Sequence, residues 1–126
     1  MNKEELKKIY NQKKYSLKLE KGFKEKSFED FYNWFNEDNF NKGCNYCGTT
    51  NDKSMQLFLL RPQATRGGKR GKRLELDRIN PHESYDNLNN LVWCCYWCNN
   101  AKTNFFTDKE FRPIGKAIGD ALSKMG

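Results

Sequence analysis

Four of the five cysteines in this chain fall into two C-x-x-C pairs, Cys44/Cys47 in GCNYCG and Cys95/Cys98 in CCYWCNN. Two such knuckles match a tetrahedral four-thiolate zinc site, with metal–sulfur bonds near about 2.3 Å. A lone pair could be redox-active, but a thioredoxin-like centre has no use for a second pair. The pairs stand much farther apart than in a compact zinc finger, so the zinc is expected to clip two remote segments in a structural role. Using Cys94 in place of Cys95 would give a C-x-x-x-C knuckle, and Cys94 is read instead as a small buried side chain.

A second group of residues surrounds the stretch LELDRINP, where Asp77 and Arg78 stand side by side at the end of an alternating run. If a strand ends at Asp77 and a helix starts near Cys98, Asp77 and Asn99 can face each other. A carboxylate with an amide carbonyl, the open positions filled by water and phosphate, is a half-shell for a hard cation such as Mg²⁺ or Mn²⁺. An ion pair between Asp77 and Arg78 is disfavoured, because adjacent strand residues point to opposite faces.

A third group is basic. Arg61, Arg66, Lys69, Arg70, Lys72 and Arg73 fall in a glycine-rich stretch with no acid among them, which suits contact with a phosphate backbone. The whole chain carries a net charge of +7, and such an excess attracts polyanions without identifying one.

Positioning these groups requires a modest scaffold. A length of 126 residues suits a single domain, and at 14% aromatic much of its core must be flat side chains, Phe above all. A Lys-rich segment up to about Lys26 carries Leu6, Ile9, Tyr10 and Leu17 at spacings compatible with one amphipathic helix. SFEDFYNWF follows, with Ser27 and Asp30 as a variant capping box and Phe28, Phe31, Tyr32 and Phe35 on one face. SMQLFLLRP is expected to be a buried strand and RLELD a second, the two forming a hairpin whose long flexible tip is QATRGGKRGK. Residues 79–90 are polar and irregular, and CYWCNNAKTNF resumes order as a short helix. Thr107 and Glu110 form another capping box, before a helix carrying Phe111, Ile114, Ile118, Ala121 and Leu122 at helical spacing. Gly115 and Gly119 lie one turn apart on it, for close approach within the monomer or at a dimer contact.

The order C-x-x-C, LELDRINP, Asn90-Leu91, Cys95-x-x-Cys98-Asn99 and Lys102 resembles the HNH endonucleases over roughly residues 42–112, and within them the rare-cutting restriction enzymes. The resemblance implies an α+β fold: a ββα-metal finger stapled by the four-cysteine zinc site, flanked by N-terminal helices and a C-terminal helix. The implied layout is an N-terminal helical region over 1–41, a nuclease core over 42–112 and a C-terminal helix over 107–126 packed on it. Asp77 and Asn99 become catalytic metal ligands, and Asn90 becomes the middle asparagine that steadies the catalytic loop.

The family's usual base, a histidine after the Asp, is replaced by Arg78, which cannot accept a proton. Three answers stay open. Tyr46 resembles the tyrosine proposed as base in Asp-Arg members, if its pKa near ~10 is lowered. His82, the lone histidine, has a suitable pKa but lies in a loop. Or no protein base serves, with the metal alone activating water or the centre inactive. Under each, Arg78 contacts the scissile phosphate, and Lys102 joins the DNA-binding set.

The reading that results is a divalent-metal-dependent, restriction-like DNA endonuclease with one structural Zn²⁺ and a catalytic Mg²⁺ or Mn²⁺. It acts on double-stranded DNA as a homodimer and needs no small-molecule cofactor. No stretch approaches the roughly 20 apolar residues that cross a bilayer, and the N-terminus MNKEELKKIY is charged where a signal peptide is apolar, so no membrane and a cytoplasmic location are expected. The rival is a catalytically inactive, zinc-stapled DNA-binding module.

Overall fold

The computed structural model describes residues 1–15 and 22–126. Along the chain run α1 (Lys3–Tyr15), α2 (Phe28–Trp34), α3 (Glu37–Asn41), α4 (Asn51–Leu60), β1 (Glu75–Arg78), β2 (Leu91–Cys94), α5 (Tyr96–Lys102) and α6 (Asp108–Ser123), with a single 3₁₀ turn at Leu88–Asn90. No described helix is long and apolar enough to cross a membrane.

The capping boxes read from sequence form as expected. Ser27 and Asp30 exchange side-chain and backbone hydrogen bonds at the start of α2, and Thr107 and Glu110 do so at α6. Helix α1 buries Leu6, Ile9 and Tyr10, while Leu17 lies outside the described residues. The expected extension of this helix towards Lys26 is not found, since residues 22–26 are not helical. Three of their backbone N–H groups, on Lys24, Glu25 and Lys26, converge on the Asp86 carboxylate at 3.0–3.2 Å. Partial burial works against the ionised form of Asp86, but these N–H bonds outweigh it and hold the carboxyl below its usual range.

The expected hairpin is wrong in one strand. SMQLFLLRP is helical: Thr50 caps α4 by accepting from the Lys53 N–H, and Ser54, Leu57 and Phe58 turn inward at helical spacing. Its other face is left to solvent, with Leu59 65% exposed. QATRGGKRGK is therefore not a hairpin tip but a series of turns from α4 to β1, bonded internally by Ala64 N–H to Arg61 O and Arg70 N–H to Thr65 O. The partner of β1 is β2, paired antiparallel with Glu75 opposite Cys94, Leu76 opposite Trp93, Asp77 opposite Val92 and Arg78 opposite Leu91.

This ribbon has two chemically different faces, as strand alternation dictates. Leu74, Leu76 and Trp93 enter the core, where Phe40 stands edge-on to the Trp93 ring at 5.1 Å and Phe35 at 6.0 Å. Glu75 and Asp77 take the other face. The N-terminal helices thus supply an aromatic bed for the ribbon.

Replacing Asp86 by Ala should remove the acceptor that orders residues 24–26 and lower stability by about 1–2 kcal/mol, checked by urea denaturation at neutral pH. The folded pKa of Asp86 is depressed, so its contribution is present above the unfolded value and fades as pH falls through the folded one. The difference between wild type and Asp86→Ala should therefore shrink below about pH 4.

Candidate metal centre and catalytic site

The two knuckles meet. The Sγ atoms of Cys44, Cys47, Cys95 and Cys98 all lie within 4.8 Å of one another, with Cys47 and Cys95 at 3.6 Å. Thiolates around zinc at about 2.3 Å would stand about 3.8 Å apart along a tetrahedral edge, so the donor set fits a structural zinc ion. Backbone N–H groups of Tyr46 and Cys98 point at the sulfurs of Cys44 and Cys95, each at 3.4 Å, as they do around thiolates. Cys94 lies outside the cluster, fully buried, and burial pushes its thiol well above the usual range.

The first knuckle is held from three sides. Gly43 adopts a positive φ of 89°, and a Cβ there would lie 2.7 Å from the carbonyl oxygens of Gly48 and Thr49. The Asn45 N–H donates to Trp93 O at 2.8 Å, joining the knuckle to β2. Helix α6 lies flush on the other side: a Cβ on Gly115 would stand 2.8 Å from Tyr46 Cβ, and one on Gly119 2.9 Å from Cys47 Cβ. The two glycines thus serve packing inside the monomer, seating the knuckle that carries Tyr46.

From that seat the Tyr46 hydroxyl donates to Asp77 Oδ2 at 2.9 Å. The same oxygen lies 3.3 Å from Lys102 Nζ, which also donates to Arg78 O at 2.9 Å. Lys102 is 0% exposed and Asp77 is buried, so this is an interior ion pair in which each charge compensates the other. Lys102 is thus placed against Asp77 and not on the surface where a phosphate backbone would run. Burial and then the Asp77 carboxylate push the Tyr46 hydroxyl well above its usual range.

Asn99 and Lys102, one turn apart on α5, lie over β1 as two rungs of a ladder. Lys102 meets Asp77, and Asn99 Nδ2 donates to Glu75 Oε1 at 3.0 Å. Asp77 and Asn99 come to neighbouring rungs. Glu75 is the member that sequence reasoning missed; its position two residues before Asp77 in an alternating strand was the available signal.

Arg78 leaves the ladder. Its guanidinium lies 4.9 Å from the Tyr85 ring centroid, with Nη1 on Glu83 O at 3.0 Å and Nη2 on Asn104 Oδ1 at 3.4 Å. Asp77 pairs with Lys102 instead, which answers the adjacency of acid and base in LELDRINP. Asn90 ties the neck of the β1–β2 loop, accepting from Asn80 N–H at 2.9 Å and donating to Asn80 O at 3.0 Å. His82 sits exposed in that loop, its backbone N–H on Asn80 Oδ1 at 3.0 Å.

The basic residues divide. Arg61, Arg66, Lys69 and Lys72 are exposed, Arg73 is half-buried, and Arg70 clamps Glu75 at 2.6 Å. A groove of about 700 Å³ between α1 and this loop is lined by Lys13, Lys69, Lys72 and Arg73, and also by Glu75 and Asn99.

No family model matches this sequence, and no curated protein matches it either. Among solved structures, the chain is similar to the rare-cutting HNH restriction endonuclease PacI, described for its mechanism of DNA perturbation. The match has a TM-score of 0.71 and 25% identity, over 92% of this chain and 78% of that one. The fold is thus α+β and HNH-like: the antiparallel β1–β2 ribbon and α5 form the ββα unit, with the four-cysteine cluster at its end.

Gly119→Ala should force Cys47 out of place and loosen zinc, seen as faster metal loss to a chromogenic chelator than from wild type. Lys102→Met should leave Asp77 as an uncompensated buried charge and cost about 3–5 kcal/mol. Adding Asp77→Asn to that variant should recover part of the loss in thermal unfolding.

Proposed function

We propose that this chain is a divalent-metal-dependent endonuclease that hydrolyses phosphodiester bonds in double-stranded DNA. The observation that carries the reading is the buried Asp77 carboxylate on an HNH-like ββα unit, with Tyr46 Oη 2.9 Å away and Asn99 on the adjacent rung. The PacI likeness supports a nuclease, and the basic groove ending at Glu75 and Asn99 supports a polyanionic substrate.

Asp77 and Asn99 would hold Mg²⁺ or Mn²⁺, for which their oxygen donors are suited. Bound there, the ion supplies positive charge against the phosphate and the leaving oxygen. Tyr46, once its own proton has passed to solvent and it stands as phenolate, would take the proton of the attacking water as that oxygen bonds to phosphorus and the opposite P–O bond breaks. Tyr46 can lose that proton only when a cation held at Asp77 offsets the burial and the negative neighbour that now keep it. Arg78 has five N–H donors and spends two on Glu83 and Asn104, leaving others for a phosphate oxygen. Asn90 keeps the loop neck closed, and Arg61, Arg66, Lys69 and Lys72 with Arg73 follow the backbone. The working unit is a homodimer, which presents two copies of the site to the two strands of a duplex.

Purified protein incubated with supercoiled and linear plasmid in Mg²⁺ or Mn²⁺ should cleave both. Asp77→Ala should abolish cleavage, Tyr46→Phe should slow it at least 100-fold, and His82→Ala should leave it unchanged. Loss in His82→Ala with a normal Tyr46→Phe would move the base to His82. Tight DNA binding without cleavage by the wild type would make the chain a zinc-stapled binding module.

A further inference from the structure

Glu75 has a place in this site that neither the zinc cluster nor the Asp77 network accounts for. It lies on the active face of β1, and Asn99 Nδ2 donates to its Oε1 at 3.0 Å. A carboxylate only accepts hydrogen bonds, so the group of Asn99 facing it must be the NH₂. The amide is planar, and fixing its nitrogen fixes its oxygen: Oδ1 is left for another partner. Asn99 is thereby held in one of its two flip states, the one with the carbonyl oxygen uncommitted.

Glu75 is itself held. Arg70 grips it with two bonds, Nε to Oε2 at 3.1 Å and Nη2 to Oε1 at 2.6 Å, the fork geometry that fixes a carboxylate's plane. The Arg70 guanidinium also lies 4.8 Å from the centroid of the Tyr96 ring, which is on α5 one turn before Asn99. Arg70 therefore bears on β1 and α5 together, and the Glu75 side chain is only 16% exposed. A surface ion pair with no task would not need its second oxygen-bound partner to be the amide of the proposed metal site.

Resting on the proposed nuclease reading, we infer that Glu75 is a positioning residue for the catalytic cation: clamped by Arg70, it orients the Asn99 amide so that Oδ1 faces the metal. Outer partners of this kind typically change metal affinity by about 10–100-fold when removed. Glu75 does not touch the reacting atoms, so its loss acts on metal affinity and leaves the saturated rate nearly intact.

The test uses the zinc-loaded full chain and two readouts: Mn²⁺ binding to the DNA-free protein, from the EPR signal of free Mn²⁺, and the Mn²⁺ concentration giving half-maximal plasmid cleavage. Glu75→Ala should raise both constants about 10–100-fold, with cleavage at saturating Mn²⁺ within about threefold of wild type. Glu75→Gln keeps an oxygen that accepts from Asn99 but loses one arm of the Arg70 fork, and should fall between wild type and Glu75→Ala in both. Zinc content and melting temperature check each variant's fold. Should Glu75→Ala fail to fold, Arg70→Ala carries the test, since it leaves the carboxylate free to turn and should weaken Mn²⁺ binding severalfold. Unchanged Mn²⁺ constants in an active Glu75→Ala or Arg70→Ala protein would overturn the positioning role alone. Loss of Mn²⁺ in Glu75→Gln as complete as in Asp77→Ala would make Glu75 a direct ligand and overturn it too. A wild type that neither binds Mn²⁺ nor cleaves would instead remove the metal centre itself.

Discussion

Four sulfur atoms from two distant parts of the chain meet within 4.8 Å of one another, close enough to hold one metal ion, and much of this structure is arranged around that meeting. The second knuckle includes the first turn of α5, so the helix lies where the cluster puts it, alongside β1. The first knuckle carries Tyr46 between two of the same cysteines, so its hydroxyl reaches Asp77 from a fixed root. A two-stranded ribbon with four paired positions is marginal by itself. The four-cysteine cluster on one side and an aromatic bed on the other flank it as a platform.

On that platform each acid side chain is matched by a cation. Asp77 and Glu75 would each be costly if buried alone, and each has a cation: Lys102 for one, Arg70 for the other. Lys102 places positive charge against Asp77, so neither stands in the interior as an unpaired charge. The arrangement also separates two tasks that LELDRINP places side by side. Asp77 serves the inner network, and Arg78 goes to the loop and to Tyr85.

Much of this was legible in the residues, and the failures have physical causes. Zinc ligands announce themselves because the spacing within each knuckle is dictated by the metal, and the capping boxes because their bonds are local. SMQLFLLRP misled because a continuous apolar run carries no period; Thr50 at its entrance and the exposed Leu59 distinguish helix from buried strand only once the context is known. With that strand misplaced, LVWC as the true partner of β1 went unrecognised. The residue pattern suggests Asp77, Tyr46, Asn90 and Asn99 as a group and a DNA-facing place for Lys102, which the fold instead buries against Asp77. Nothing local to a lysine near a helix end tells that a carboxylate from another element will meet it. Gly115 and Gly119 signalled close approach, and only the folded chain shows that the neighbour is the knuckle.

The short antiparallel pairing has a further consequence for how the chain reaches its native form. Slipping β2 by one position against β1 would reverse which of its residues face the core, turning Trp93 away from its aromatic bed and Val92 towards it. With so few pairs, hydrogen bonding alone discriminates weakly against that error. Cys95, however, follows the last paired residue directly, and a slip of one step, about 3.3 Å, would move its sulfur too far for the other three to share an ion with it. A zinc ion held by the four sulfurs would thus act as a proofreader of strand alignment: misaligned chains could not close around it, and those that did would already have Trp93 turned into the core.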